Sequence, residues 1–403
     1  MQKFQRFTGM QYLQIDIANN FGLDKQDWNT RLDWFNENQE KLLSLVPQAK
    51  APALFYAGIQ AWNQAQQGLE IGYPISLDAC SSGLQLLACL TGDDKAARLC
   101  GVIDTGHRED AYSVIYNEMV NSIGESAKIS RDDCKDAIMT SLYGSTAVPK
   151  QVFGEGKLLQ VFVDTMNNLA PAAWALNQVF LDIWDSTVLS HDWVLPDNFH
   201  VHIAVIGNVK QKVNFFNKPY EIVTKVNMAK ENGRSLGANV THSIDGFLVR
   251  ELTRRCDYRP EQMARVMDII WNSWDVVEPQ DTLNNRMLEK LWYHYLDSGY
   301  LSARILDYIT KDNITYIDRS VILELLDSLP PKPFKVMSIH DCFRVLPNYG
   351  NDLREQYNLQ LMLIAKSNLL SFTLTQIMGK EIKVGKANPS MWKHIMDSNY
   401  TLS

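Results

Sequence analysis

No stretch of this chain strings together the ~18 apolar residues of a membrane-spanning helix, so no span is expected. Residues 1–9 hold no apolar h-region, and no secretory signal is expected there. The six cysteines, at 80, 89, 100, 134, 256 and 342, never fall as Cys-x-x-Cys. A zinc ribbon or disulfide framework is therefore unsupported, and a reducing compartment fits. Gly-x4-Gly-Lys-Ser/Thr, Gly-x-Gly-x-x-Gly, His-Glu-x-x-His and Gly-x-Ser-x-Gly are all missing. P-loop, dehydrogenase and common hydrolase readings thus begin without a motif. Internal repeats and low-complexity segments are lacking too. Basic charge is in deficit, with 39 Lys+Arg against 46 Asp+Glu and a net charge of -7. That balance excludes a general nucleic-acid coat while leaving room for a local basic groove.

The chain has 403 residues, 46% apolar and 21% charged, enough for a large core in two or three domains or in one domain with insertions. Its periodicities predict a mixed, helix-rich α/β fold. Helical spacing covers residues 27–45, 52–65, 82–90, 111–123 and 130–142, with one long helix over 166–187. A short apolar strand occupies 73–77. Residues 199–226 alternate as strands around Gly207-Asn208, a hairpin signature made basic by Lys210, Lys212, Lys218 and Lys225. Residues 233–246 read as loop and 259–308 as helical. Past the Pro-Pro-Lys-Pro punctuation at 330–333, strands at 334–339 and 343–346 flank a turn, and a helix covers 352–378. Trp174, Trp184, Trp271, Trp274 and Trp292 are expected in the core or between helices. His200 and His202 are expected on a hairpin surface, and Arg254-Arg255 on a solvated loop or against phosphates. His191-Asp192 follows a helix and gets a structural reading.

Three segments carry chemistry. In Leu77-Asp78-Ala79-Cys80-Ser81-Ser82-Gly83-Leu84-Gln85 a strand ends on a carboxylate, and small residues lead into a helix. A strand-tip carboxylate suits Mg²⁺, which takes one or two carboxylates plus phosphate oxygens; the plainer reading is a helix cap. In Ser130-Arg131-Asp132-Asp133-Cys134-Lys135, Ser130 and Asp133 form a capping-box pattern. Arg131, Lys135 and Met139 share a helix face that ends at Tyr143-Gly144. Cations followed by a ring suit a nucleoside triphosphate; the plainer reading is a solvated face. In Ser338-Ile339-His340-Asp341-Cys342-Phe343 a hairpin turn presents a second carboxylate. Asp78 and Asp341 sharing two Mg²⁺ ions, with a cationic helix for the triphosphate, is the layout of two-metal nucleotidyl transfer.

Together these segments resemble the bacteriophage- and mitochondrial-type single-subunit DNA-dependent RNA polymerases. The Asp78 segment is similar to that family's first catalytic motif. Arg131, Lys135, Met139 and Tyr143-Gly144 match its fingers helix, and His340-Asp341 with Phe343 its third motif. Asn19-Asn20-Phe21-Gly22-Leu23-Asp24-Lys25, Asp110-Ala111-Tyr112 and Thr241-His242-Ser243-Ile244-Asp245-Gly246 resemble further segments, in family order, from about residue 10 to 365. The resemblance implies a right-hand palm and fingers, with thumb and N-terminal domain outside this chain. It implies a first palm part at 1–106, fingers at 107–242 with a specificity-type hairpin near 199–226, and a second palm part at 243–403. That last part would contain a helical insertion near 250–310 and the catalytic hairpin 334–346.

By the same resemblance Asp78 and Asp341 hold two Mg²⁺ ions, with the Ala79 carbonyl as a further ligand. Lys25, Arg131 and Lys135 bind the triphosphate. Tyr143 and Tyr112 line the ribose and insertion site, and His242 and His340 also contact substrate or product. Ala79 and Leu86 stand where the family has Gly and often His, and Cys342 and Arg344 where it has Ser and Gly. No Asp-x-x-Gly-Arg-type motif precedes Asp78. Within that family the chain resembles the larger subunit of the split, heterodimeric branch found in coliphage N-four and its relatives. That implies a smaller subunit supplying N-terminal domain, thumb and hybrid-binding Arg, with DNA template, RNA product and nucleoside triphosphates as ligands. It implies in addition a single-stranded-DNA-binding recruitment factor, no membrane, and the cytoplasm of an infected bacterium. Two rivals are a family-A-type DNA polymerase and a non-catalytic structural subunit. Ser81-Ser82-Gly83 opposes the first, because it leaves open the space where that family's Glu blocks a 2′-hydroxyl.

Overall fold

A computed structural model describes residues 3–124, 129–231, 233–274, 278 and 280–403. Helices dominate. The first group is α1 (Gly9–Ala18), α2 (Trp28–Asn38), the single turn α3 (Leu42–Leu45) and α4 (Pro52–Gln66), leading to strand β1 (Ile75–Asp78). Next come α5 (Ser82–Thr91), α6 (Asp94–Leu99), α7 (Ala111–Ile123), α8 (Arg131–Leu142), α9 (Ala147–Phe153), α10 (Lys157–Leu169) and α11 (Pro171–Asp182). Strands β2 (Ser190–Val194), β3 (His200–Ala204), β4 (Ile206–Phe215) and β5 (Lys218–Asn227) precede α12 (Ser235–Cys256), α13 (Pro260–Asn272), α14 (Leu283–Ser298) and α15 (Arg319–Asp327). Strands β6 (Met337–Ile339) and β7 (Cys342–Val345) and helices α16 (Gly350–Lys366) and α17 (Leu369–Met378) follow.

The sheet that matters for the site runs β1-β7-β6, all antiparallel. It lies far from its own neighbours in sequence, so helices must hold it. Asp16, on α1, is buried and does much of this. Its carboxylate accepts the Ser76 amide of β1 at 2.8 Å, the Tyr73 hydroxyl at 2.7 Å and the Asn20 amide at 2.9 Å. Three donors on one buried acceptor leave little reason for either partner to move. The long apolar core around this sheet collects Leu77, Leu84, Leu87, Phe343, Tyr357 and Leu361 among others.

Several elements differ from their sequence expectation. The long helix expected over 166–187 is two, because Pro171 has no N–H to continue α10 and Ala170 leaves helical geometry (φ -143, ψ 57). The helix expected over 352–378 breaks at Ser367-Asn368, where the Asn368 amide donates to the Ser298 carbonyl at 2.7 Å. Residues 235–246, expected as loop, begin the 22-residue α12. Its Gly237 lowers helix propensity but admits the Phe180 ring, which a Cβ would meet at 2.9 Å. That helix also runs through the expected domain boundary at 242–243.

The basic hairpin is real but turns elsewhere. Gly207 lies inside β4, opposite Val226; the turn is Phe216-Asn217, both at positive φ (49 and 57), as a two-residue type I′ connection demands. The 200–204 strand pairs instead with β2. His191 sits on β2 rather than after a helix, buried with its ring 4.6 Å from Trp184. His200 and His202 are exposed, and His202 bonds Asp192 at 2.5 Å.

A second core gathers α13, α14 and α15, including Val266, Ile269, Leu288, Leu291, Ile305 and Ile322. Its edge at Ser302-Ala303 meets α12 of the first core beside a network of buried carboxylates and arginines. Asp197, wholly buried, takes Arg250 at 2.7 Å and Arg254 at 2.9 Å. Glu251 takes Arg254 at 2.8 Å, the Ser302 hydroxyl at 2.5 Å and the Ala303 amide at 2.9 Å. Arg254-Arg255 is therefore helical and structural, not a solvated loop. Trp174, Trp184 and Trp292 pack against the cores, but Trp271 and Trp274, at and just past the end of α13, are 58% and 67% exposed, with the Arg319 guanidinium of α15 4.2 Å from the Trp274 ring. All six cysteines are free, and no single described helix is long and apolar enough to cross a membrane.

Burial pushes the Asp16 carboxyl up to about 6, against the hydrogen bonds from Tyr73 and Ser76. A carboxyl raised on folding adds most stability below its unfolded value. That stability falls as pH rises through about 4 to 6. Chemical denaturation across pH 4 to 8 should show this slope in the wild type and not in Asp16→Asn. Asp16→Ala, which orphans three donors, should cost about 2–4 kcal/mol at pH 7.

Candidate active site

Strand β1 points Ile75 and Leu77 inward and Ser76 and Asp78 outward, by the alternation of an extended chain. Its register on β7 sets Asp78 opposite Cys342, so the preceding Asp341 arrives beside the strand end. The Ala79 amide donates to the Asp341 carbonyl at 3.0 Å, fixing the two tips together. On the other edge, Asp78 and Ser403 exchange backbone hydrogen bonds of 3.2 and 2.9 Å. The β6–β7 turn has two residues, and His340 takes φ 56 there, which histidine tolerates better than branched residues do. Burial pushes the Asp341 carboxyl above its usual range, its own amide pulls it back, and the Asp78 charge adds to the rise.

Facing the carboxylates is α8. Its Ser130 capping box forms as expected. Arg131, Lys135 and Met139 lie along its exposed face, and Tyr143 stands at its C-cap. A cavity of about 420 Å³ is lined by Lys25, Asp78, Ala79, Arg131, Lys135, Tyr112, Tyr143 and Asp341. Eight of the ten residues singled out in the sequence thus meet in one space. Lys135 lies 5.8 Å above the Tyr112 ring, whose hydroxyl is 3.2 Å from the Ser81 hydroxyl. Burial and the nearby charge of Asp245 push the Tyr143 hydroxyl up to about 12. The ring of His242 lies 4.7 Å from that of Tyr143, so His242 reaches the site through Tyr143 rather than lining the cavity. His340 is exposed at the turn and does not line it.

Residues that sequence reading passed over also line the cavity. Arg108 donates through Nε to the Ser403 hydroxyl at 2.9 Å, and Asp24 and Ser403 join it. Arg108 stands two residues before Asp110-Ala111-Tyr112, a signal within reach. Nothing in the sequence foretells the pairing of Ser403 with Asp78. Among the described residues no cluster of three or more His, Cys, Asp or Glu is set to hold a metal. The pair Asp78 and Asp341 instead fits a hard cation that takes one or two carboxylates and completes its shell with water and phosphate. Burial and, to a smaller degree, the Asp78 charge lift Asp341, and a bound cation would offset both.

Two carboxylates thus stand across one cavity from Lys25, Arg131 and Lys135. A family model described as DNA-dependent RNA polymerase matches residues 5–187. A probable DNA-directed RNA polymerase of Gelasinospora sp. is 22% identical over 383 residues, 86% of this chain and 41% of that protein. One of Neurospora crassa is 29% identical over 160 residues, 34% of this chain and 18% of that protein. The DNA-directed RNA polymerase of Pseudomonas phage phiKMV is 25% identical over 173 residues, 34% of this chain and 21% of that protein. The similarity is to the single-subunit phage and mitochondrial RNA polymerases. The chain spans less than half the length of these three curated relatives. The family match covers α1 to α11, and therefore the Asp78 tip and the whole cationic helix, but ends before the β6–β7 hairpin.

Gly83 supports the Tyr143 side chain by having none of its own. A Cβ there would collide with the Tyr143 hydroxyl and approach its ring carbon at 2.9 Å. Gly83→Ala should leave the fold intact, since the ring can swing, but displace Tyr143 from the cavity. Nucleotide KM should rise about tenfold with thermal unfolding shifted by only a few degrees.

Proposed function

We propose that this chain is the catalytic part of a DNA-directed RNA polymerase, adding ribonucleotides to an RNA 3′ end on a DNA template with release of pyrophosphate. The observation that carries the reading is the convergence of Asp78, Asp341, Lys25, Arg131, Lys135 and Tyr143 on one cavity. The similarity to polymerases of phage and mitochondrial kind supports it. In this reading the β1-β7-β6 sheet with its flanking helices is the palm, in two sequence parts, and α7 to α11 are fingers.

Asp78 and Asp341, with the Ala79 carbonyl beside them, would hold Mg²⁺, which when bound supplies positive charge to the attacking and leaving oxygens. The protein's own share is positioning and electrostatics. Lys25, Arg131 and Lys135 draw the triphosphate to one wall and neutralise charge that grows on the leaving pyrophosphate. Tyr112 and Tyr143 bound the sugar and base side, and His242, stacked near Tyr143, orients that ring toward the product end. His340 holds the turn that carries Asp341. Ser81 and Ser82, small residues in the cavity lining, would leave room for a 2′-hydroxyl, favouring ribonucleotides over deoxyribonucleotides, while the space beside Gly83 is taken by Tyr143.

The β4–β5 hairpin, with Lys210, Lys212 and Lys225 on one face, would meet promoter DNA. Thumb, N-terminal domain and hybrid-binding Arg would come from a smaller subunit, as in the heterodimeric branch the motifs resemble. A single-stranded-DNA-binding factor would bring the enzyme to opened DNA in the cytoplasm of an infected bacterium.

The test is primer extension on an RNA–DNA scaffold, with the chain alone and with a co-expressed smaller subunit. Ribonucleotide incorporation should need Mg²⁺ and fall at least ~10³-fold in Asp341→Asn, which retains the turn. Lys135→Ala should mainly raise nucleotide KM. Incorporation confined to deoxynucleotides would replace this reading by a DNA polymerase. Activity of the chain alone equal to that of the pair would remove the need for a partner in catalysis.

A further inference from the structure

Asp110 occupies the N-cap position of α7, yet its carboxylate caps none of the free amides there. An Asp at this position ordinarily stabilises its helix by such a bond. Here it turns away. Its Oδ2 accepts from the Arg131 guanidinium and, at 2.7 Å, from the Ser113 hydroxyl, while the Lys25 ammonium lies 3.6 Å off. Arg131 Nε in turn donates to the Ser113 hydroxyl at 2.7 Å, so one hydroxyl orients both partners. Burial would raise the Asp110 carboxyl, but the bonds from Ser113 and Arg131 and the charges of Arg131 and Lys25 hold it below its usual range, as an anion.

The two cations come from distant parts of the chain. Lys25 follows the π-turn after α1, and Arg131 opens α8. Both line the cavity, whereas Asp110 does not. Lys135 and Arg108, the other two cations of the lining, have no carboxylate partner among the described residues: Lys135 lies over the Tyr112 ring and Arg108 donates to the Ser403 hydroxyl. The cavity wall thus contains two cations without a carboxylate partner and two already bound to an internal anion.

We infer that Asp110 is a positioning residue that competes with the triphosphate for Arg131 and Lys25. It holds both when the cavity is empty, yields them to the incoming phosphates, and takes them back as pyrophosphate leaves. The inference rests on the triphosphate reading of the cavity. Its cost is weaker ground-state binding, and its return is faster product release. A cation cluster without a counter-anion would bind pyrophosphate too well to let it go.

Asp110→Asn is nearly isosteric and remains a good N-cap, so the fold should survive. Calorimetric titration of the whole chain with inorganic tripolyphosphate, with and without Mg²⁺, reads the exchange without needing turnover. The variant should bind about five- to tenfold more tightly than the wild type, with the gap closing at high salt. On the scaffold, nucleotide KM and kcat should fall together, with pyrophosphate a stronger product inhibitor. Unchanged or weaker tripolyphosphate binding, with a rising KM, would make Asp110 a mere strut and overturn the inference. A wild type that binds no polyphosphate would sink both this inference and the triphosphate reading. Tighter binding by the variant with no ribonucleotide incorporation by either protein would retain the exchange and discard the polymerase.

Discussion

The pairing of β1 with β7 is the constraint on which the rest depends. Each strand is four residues long, too short to be stable by itself. Held together, they bring side by side two carboxylates that lie at opposite ends of the sequence. The register matters as much as the pairing. A slip of one residue would turn Asp78 toward the core and Leu77 toward solvent. The buried Asp16 cluster fixes β1 from one side, and the Asp78–Ser403 bonds fix it from the other. Burial is the main cause of the raised Asp341 carboxyl, and the nearby Asp78 charge adds to it. The sheet therefore holds a half-buried carboxyl beside a second acid.

The opposing wall follows a different logic. Helix α8 needs no distant partner to align Arg131, Lys135 and Met139, because helical periodicity does so. Tertiary contacts decide instead what those cations do before a ligand binds. Asp110 draws Arg131 and Lys25 to one anion, while Lys135 rests on an aromatic face. The cavity is thus partly neutralised from within. This is how a chain of net negative charge can keep a cationic pocket without exposing it fully.

The second core meets the first at a buried carboxylate, Glu251 of α12, which accepts from Ser302 and Ala303. Asp197 and Glu251 are both buried; the Asp197 carboxylate accepts from Arg250 and Arg254, and that of Glu251 from Arg254, the Ser302 hydroxyl and the Ala303 amide. Removing one partner would leave a buried charge, so such a seam specifies one docking geometry. Sequence reading placed Arg254-Arg255 on a solvated loop or against phosphates because a pair of arginines is ordinarily exposed. Only the fold reveals the two acids that receive them.

By itself the sequence determined what is local. Capping at Ser130, the helix face from Arg131 to Met139, the strand ending at Asp78 and the turn at His340-Asp341 all follow from spacing and residue type, and each appears where expected. Interruptions were less legible. Pro171 splits a helix that apolar periodicity alone runs through, and the start of α12 is helical with Leu236, Val240 and Ile244 buried along one face despite Gly237. The hairpin turn fell at Phe216-Asn217 because both residues adopt the left-handed backbone, a property Gly207 advertises more loudly but does not use. Tertiary structure alone decided that Asp78 meets Asp341, that Arg108 and Ser403 line the cavity, and that Asp110 leaves its helix to hold Arg131 and Lys25. These are contacts between residues far apart in the chain, and local propensity carries no information about which distant group will fill a coordination position or neutralise a charge.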